Sequence, residues 1–241
     1  MTASLEPPVR ARLDELVRGN GLPAGSAERL GRLLGLLAGD GTAPTSVRAP
    51  HRAVDVHVAD SLAGLGLSAV RSARRMADLG AGAGFPGLVL AVALAETRVA
   101  LVESDGRKAT FLMRAAQAVD AANVEVINAR AEAWADGMGV HDLVTARALA
   151  ALPVLVEYAA PLLAPGGALV AWKGHRDARE EADGDAAAAA TGLEPAGVLA
   201  ATPFPGVEAR TLYLYLKVRQ TPLRFPRREG MARKRPLRAS T

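Results

Sequence analysis

The sequence predicts an α/β fold, a mostly parallel, doubly wound sheet preceded by a helical annex. Three observations carry that expectation. From Arg75 onward short apolar runs alternate with stretches of helical periodicity, a glycine-rich loop joins the first of these runs to the first helix, and the first 72 residues show helical spacing alone.

In the annex, Leu5, Val9, Leu13, Leu16 and Val17 recur every three or four residues. Pro7 and Pro8 fall in the first turn, where a missing N–H costs nothing. Ser26 is the expected N-cap of a second helix with Leu30, Leu33, Leu34 and Leu37 on its apolar face. The stretch from Gly39 to Pro44 breaks that helix, and Pro50 can open a third, with Val54, Val58, Leu62 and Leu65 aligned. Strands are then expected at 76–79, 99–103, 124–127, 142–145 and 168–172, with helices at 86–95, 107–119, 131–134 and 154–163 between them. A charged, alanine-rich segment at 176–190 reads as an exposed helix, and 212–218 alternates as a late strand. Right-handed crossovers would gather the strand C-termini, and a ligand crevice, on one edge. The expected division is 1–72 annex, 73–220 core and 221–241 tail.

Half the residues are hydrophobic, 22% are charged, and there is no cysteine. Disulfides, thiol nucleophiles and cysteine metal sites are therefore excluded, and the four histidines lack ligand spacing, so no metal is expected. Neither a long apolar span nor a secretory leader is read, so the expectation is a cytoplasmic protein away from membranes, and a monomer. The net charge of +4 is uneven: residues 217–241 hold nine Lys/Arg and one acid, Glu229, a net of +8 that leaves −4 for the rest. A polyanion contacted at one end would suit that imbalance, and so would a merely solvated tail.

The strongest motif is Asp78-Leu-Gly80-Ala-Gly82-Ala-Gly84-Phe85-Pro86-Gly87, between a strand and a helix. Its glycines allow positive φ and close backbone approach to a ligand. Glu103, ending the next strand, could accept both hydroxyls of an adenosine ribose. Gly82-x-Gly84-x-x-Gly87 also satisfies the dinucleotide fingerprint. Asp78 favours the methyl donor S-adenosylmethionine over a dinucleotide, because it would repel a pyrophosphate and attract a methionine ammonium. A purely structural glycine turn is the remaining reading.

Several segments together resemble one family. DLGAGAGFPG, VESDGRKATFL, NARAEAW, TARALAALPVLVEYAAPLLAPGG and WKG are similar, in order and spacing, to the bacterial 16S rRNA guanine-N7 methyltransferases, the glucose-inhibited division protein B family. TSVRAPHRAVDVHVADSL upstream and TPLRFPRREGMARKRPL downstream extend the resemblance, whereas the N-terminal helices match poorly. It implies a class I methyltransferase fold with a seven-stranded sheet and late antiparallel hairpin. It implies S-adenosylmethionine as cofactor, held at Gly80, Phe85, Ala131, Glu132 and Arg147, which join Asp78, Gly82, Gly84 and Glu103 from the loop and strand reading as the expected cofactor site. It also implies a 16S rRNA or small-subunit substrate, methylated on guanine 527 in the usual rRNA numbering.

Other residues complete the expected site. Lys173, at a strand end, is the candidate for positioning the substrate, against a solvated lysine; Arg147 could instead form a salt bridge, perhaps to Glu132. His57, Asp60 and Ser61 share one helix face and are expected to brace the annex against the core. Trp134 and Trp172 are expected in packing. Arg224, Arg227, Arg228, Arg233, Lys234, Arg235 and Arg238, interrupted by Pro226 and Pro236, are expected to form an extended basic strand along an RNA backbone, poorly ordered without it. The rival for the tail is that Leu223, Phe225 and Leu237 fold back onto the core. A small-molecule methyltransferase and a non-catalytic ribosome assembly factor are the alternative functions.

Overall fold

The computed structural model describes residues 5–207 and 209–239. Its centre is a seven-stranded sheet in the order β3-β2-β1-β4-β5-β7-β6. The strands are β1 (Arg75–Leu79), β2 (Arg98–Val102), β3 (Val124–Ile127), β4 (His141–Arg147), β5 (Leu163–Lys173), β6 (Leu193–Ala201) and β7 (Arg210–Lys217). The first five pair in parallel, and β7 is antiparallel to both β5 and β6. The strand order reverses beside β1, so β1 and β4 diverge to neighbours on opposite sides and leave a crevice at their C-terminal ends.

Around it stand α1 (Pro7–Asn20), α2 (Ser26–Gly39), α3 (a continuous run, 50–66, with a π-helical stretch at Val54–Ala59, followed by one further turn at Ser68–Arg71), α4 (Gly87–Ala93), α5 (Gly106–Ala118), α6 (Leu152–Leu162), α7 (Ala178–Thr191) and α8 (Met231–Lys234). One sheet face packs against the annex, α4 and α5, in a single apolar cluster that runs from Leu13 and Leu34 to Met76, Leu143 and Trp172. The other face packs against α6, α7 and the tail, through Leu155, Ala159, Ala188, Tyr213 and Ala232. Polar contacts also tie the annex down: Arg29 and Arg32 donate to the carbonyls of Val119 (2.7 Å) and Ala118 (2.6 Å), meeting the negative end of α5.

Four sequence expectations change. Gly25 takes the N-cap position of α2 in the left-handed region, and Ser26 is the first helical residue, with its hydroxyl buried and unbonded. Strand β5 starts at Leu163, before the Pro165-Gly166-Gly167 turn signal, and a register shift between His141 and Leu143 absorbs the irregularity. Strand β6 has no counterpart among the expected strands. Finally, the tail is not an extended arm: Phe225 and Ala232 are buried, and Ala239 N donates to Asp183 (2.9 Å).

Candidate active site

A cavity of about 740 Å³ opens at the C-terminal ends of β1, β2 and β4. The loop after β1 forms one wall, through Gly80, Gly82 and Phe85. Gly82 has φ +56°, and a Cβ built there would meet nothing closer than the Gly80 carbonyl at 3.7 Å, so the backbone itself is the surface offered to a ligand.

Glu103 is buried yet lines the cavity. Its Oε2 accepts from Gly82 N (3.1 Å) and its Oε1 from Asp105 N (2.9 Å). Each carboxylate oxygen has a second lone pair, so the group can be held by the loop and still accept from a ligand hydroxyl. Asp105 caps α5 through Arg107 N and Lys108 N, which sets the rim on that side. Ala131 and Glu132, after β3, close the next part of the wall.

Asp78 is fully buried and does not line the cavity. Its Oδ1 accepts from Thr145 Oγ1 (2.8 Å) and its Oδ2 from Gly87 N (3.0 Å), so it braces the glycine loop from beneath. Burial pushes its carboxyl up to about 7, against the pull of those two hydrogen bonds. The sequence places this carboxylate beside a ligand ammonium; the structure places it behind the cavity wall. Gly84 likewise sits behind the wall, against Leu88.

The annex supplies the opposite wall. His57 stacks on Phe85 (ring centroids 4.3 Å apart), and the Arg147 guanidinium lies 5.4 Å from the same ring. Arg147 donates to Asp60 Oδ2 (2.6 Å) and to the Val56 carbonyl (3.1 Å). Its salt bridge is therefore to Asp60 and not to Glu132. Asp60, wholly buried, pairs with Arg210 through its other oxygen, and its carbonyl accepts from Trp172 Nε1 (3.0 Å). Ser61 Oγ donates to the His57 carbonyl (2.6 Å). The His57–Asp60–Ser61 face thus joins annex to core, while His57 itself also reaches the cavity. Burial and the neighbouring Arg147 charge lower the His57 imidazole to about 4, so it is neutral at pH 7.

Lys173 lies outside the cavity wall. Its ammonium is 2.6 Å from Glu180 and donates to the Ala150 carbonyl (3.2 Å). Glu180 also accepts from Leu152 N (2.7 Å), so the pair fastens the start of α6.

Two tail arginines contact the core. Arg227 forks onto the buried carboxylate of Glu157 (2.7 Å to Oε1), and Arg233 lines the cavity and donates to the Leu149 carbonyl (3.0 Å). Arg233 is nonetheless exposed at the cavity rim, as are Arg224, Arg228, Lys234, Arg235 and Arg238 elsewhere on the tail. Pro44, Thr45, Lys108, Leu149 and Tyr158 also line the cavity and escaped the sequence reading. Tyr158 carried a usable signal, a phenol beside Glu157 in a largely apolar helix; Thr45 had none, since only the tertiary return of the annex brings it to His57 Nε2 (3.1 Å). Among the described residues no group of three or more His, Asp or Glu could hold a metal ion.

Parallel strands with a late antiparallel hairpin, a glycine loop after β1 and a carboxylate after β2 define a class I methyltransferase. Solved structures share the architecture. The chain superposes with TM-score 0.52 on a predicted O-methyltransferase of Agrobacterium tumefaciens (27% identity, 69% of this chain and 84% of that one). It superposes with TM-score 0.53 on the 16S rRNA (adenine(1408)-N(1))-methyltransferase of Catenulisporales acidiphilia, a likeness of fold alone at 18% identity over 64% of this chain and 90% of that one.

Sequence relatives narrow the class. Residues 32–203 match the family model GidB, rRNA small subunit methyltransferase G. Ribosomal RNA small subunit methyltransferase G of Rubrobacter xylanophilus is 44% identical over 197 residues, 79% of this chain and 76% of that protein. The protein of the same name in Roseiflexus castenholzii is 41% identical, over 80% of this chain and 83% of that one. The chain belongs to the rRNA small subunit methyltransferase G family.

Proposed function

We propose that this protein transfers a methyl group from S-adenosylmethionine to N7 of a guanine in 16S rRNA, guanine 527 by family resemblance. The observation that carries the donor assignment is the pairing of Gly82 with Glu103: a backbone opened to a ligand, beside a buried carboxylate with lone pairs left to accept. Residues of the wall fit the donor. Glu103 would accept from its ribose hydroxyls, the Gly80–Gly82 backbone would pass along its chain, and Ala131 and Glu132 would flank its base. When bound, the donor supplies an electrophilic methyl on a sulfonium centre.

Guanine N7 carries an in-plane lone pair, so no proton has to be removed before attack and no general base is required. His57, the histidine in the wall, is unsuited to be one. Its Nε2 lies 3.0 Å from the Val47 carbonyl, a contact that places the proton there, and its Nδ1 accepts from Arg147 at 3.3 Å. Catalysis then rests on alignment and exclusion of water. Arg147, held by Asp60, is the cation in position to meet O6 or a phosphate of the incoming guanosine. The exposed tail arginines suit the RNA backbone beyond it.

The test is methyl transfer in vitro to 16S rRNA and to small subunits, with the modified position mapped by mass spectrometry of nuclease fragments. A single 7-methylguanosine at the family position is expected. Transfer to another atom, or donor binding without transfer to either substrate, would overturn the assignment.

A further inference from the structure

Among the described residues two other than glycine take positive φ, Asp120 at +50° and Ala148 at +53°. Asp120 follows the C-cap of α5, where a left-handed residue ends many helices. Ala148 has no such reason. It follows the last residue of β4, exposed and in the cavity wall, between Arg147 and Leu149. An alanine so placed costs free energy that a glycine would not, and such residues persist where their surroundings hold them.

Four charged side chains hold the loop that joins β4 to α6. At its start Arg147 is tied to Asp60 of the annex (2.6 Å). The Leu149 carbonyl accepts from Arg233 of the tail (3.0 Å), and the Ala150 carbonyl from Lys173 at the end of β5 (3.2 Å). Lys173 in turn meets Glu180 of α7 (2.6 Å), which accepts from Leu152 N where α6 begins (2.7 Å). Leu149 also presses on the glycine loop: a Cβ built on Gly80 would meet its Cδ1 at 2.5 Å. The strained residue therefore sits between an anchored cation and a leucine in contact with the donor-side backbone.

We propose that the left-handed turn at Ala148 positions the acceptor base, setting where guanine N7 meets the donor methyl. This rests on the donor and guanine assignments above. The donor takes the side of the cavity lined by Gly80, Glu103 and Ala131, so the base enters on the β4 side, beside Arg147, Ala148 and Leu149. With no proton to remove, the rate depends on alignment, and a misplacement of about 1 Å can cost about 10²-fold. Alanine has far fewer conformations open to it than glycine, so the held loop keeps one arrangement where a glycine loop would sample several. Strain at 148 is the counterpart of that fixed geometry.

The test compares wild type, Ala148→Gly and Asp120→Gly, the last relieving the same kind of strain away from the cavity. Each is assayed for methyl transfer to small ribosomal subunits, for affinity toward S-adenosylhomocysteine by calorimetry, and for melting temperature. Ala148→Gly should lower kcat on the order of 10–100-fold, with KM for the subunit and S-adenosylhomocysteine affinity within about twofold of wild type. Its melting temperature should stay within about 3 °C of wild type or rise, since relief of strain offsets the freer unfolded chain. Asp120→Gly should leave kcat unchanged. A merely structural role for Ala148 would lower the melting temperature or the S-adenosylhomocysteine affinity together with turnover, and that result overturns the proposal. So does a kcat within about twofold of wild type, whatever happens to KM, or an equal fall in Asp120→Gly. These outcomes leave the methyltransferase assignment standing, because the wild type still transfers methyl. A wild type that transfers none overturns the assignment and the proposal with it.

Discussion

Asp60→Ala should be among the most damaging single substitutions outside the apolar core. The carboxylate is wholly buried and faces two guanidiniums, Arg147 with 13% and Arg210 with 22% of the side chain exposed. Burial already lowers the Arg147 pKa, and Asp60 is the main influence opposing that. Removing one partner of a buried ion pair costs about 3–5 kcal/mol, because the remaining charge is left uncompensated. Here two cations would be left facing each other, while their residual exposure admits some water, so a loss of about 3–4 kcal/mol is expected. With a urea dependence of roughly 2–3 kcal/mol per molar, the unfolding midpoint should fall by about 1–2 M. Asp60→Asn keeps the shape and one acceptor and should lose roughly half as much. Urea melts followed by circular dichroism at pH 7.5 measure all three proteins. A midpoint for Asp60→Ala within about 0.3 M of wild type would refute the view that this carboxylate neutralises both arginines.

Further expectations follow from the same contacts. Glu103→Ala should weaken S-adenosylmethionine binding by about 1.5–3 kcal/mol, the scale of hydrogen bonds to a charged group; calorimetric affinity unchanged within twofold would remove Glu103 from the donor site. Arg227→Ala strands the buried Glu157 carboxylate and should cost about 3 kcal/mol in a thermal or urea melt, whereas exposed Arg228→Ala should cost less than about 0.5; equal losses would contradict the docked tail. Folded His57 has a pKa of about 4 against an ordinary 6.5, so between those values the unfolded chain binds the extra proton and stability rises with pH, by at most about 1.4 kcal/mol per unit. Folded Asp78, raised from 3.8 to about 7, keeps a proton that the unfolded chain loses, so its contribution falls with pH at the same limiting slope. The two slopes should offset in the wild type, and between about pH 4 and 6.5 His57→Gln should lose stability with rising pH while Asp78→Asn gains it; parallel profiles for the two variants would count against both shifts.

The parallel half of the fold was legible because each of its strands is a short apolar run, and a doubly wound sheet buries both faces. Strand β6 was not. Leu193-Glu-Pro-Ala-Gly-Val-Leu-Ala-Ala201 has no alternation, and its middle residues are exposed. It is a strand because β7 offers it an edge to pair with, which is a tertiary fact. Pro195 is tolerated because β6 is the terminal strand of the sheet, and the register shifts between Pro195 and Gly197. The start of β5 was hidden for a related reason: Pro165-Gly166-Gly167 signals a turn locally, yet Leu163 still pairs with His141 across the irregularity.

At the site, residue types and their strand-end positions were readable, whereas the directions of side chains were not. Glu103 and Asp78 look equivalent as acids beside a glycine loop. Glu103 follows the last residue of β2 and turns to the cavity; Asp78 precedes the last residue of β1, one step inside the sheet, where a side chain meets helix α4 and strand β4 instead of solvent. Two positions along neighbouring strands thus separate a side chain in the cavity wall from a brace beneath the loop. The tail failed in the same way. Counting charges treats Arg227 as equal to Arg228 and Lys234, but Phe225 and Ala232 are apolar anchors that fix which way the segment faces. Once Phe225 docks, Arg227 is delivered to Glu157, a buried acid that would be costly without it, and Arg233 to the cavity. The buried acid on α6 therefore explains the inward turn of Arg227 better than the tail's own composition does. Glu157 lies among apolar neighbours in Leu-Pro-Val-Leu-Val-Glu-Tyr-Ala, and an acid in so apolar a helix implies a cation arriving from elsewhere in the chain.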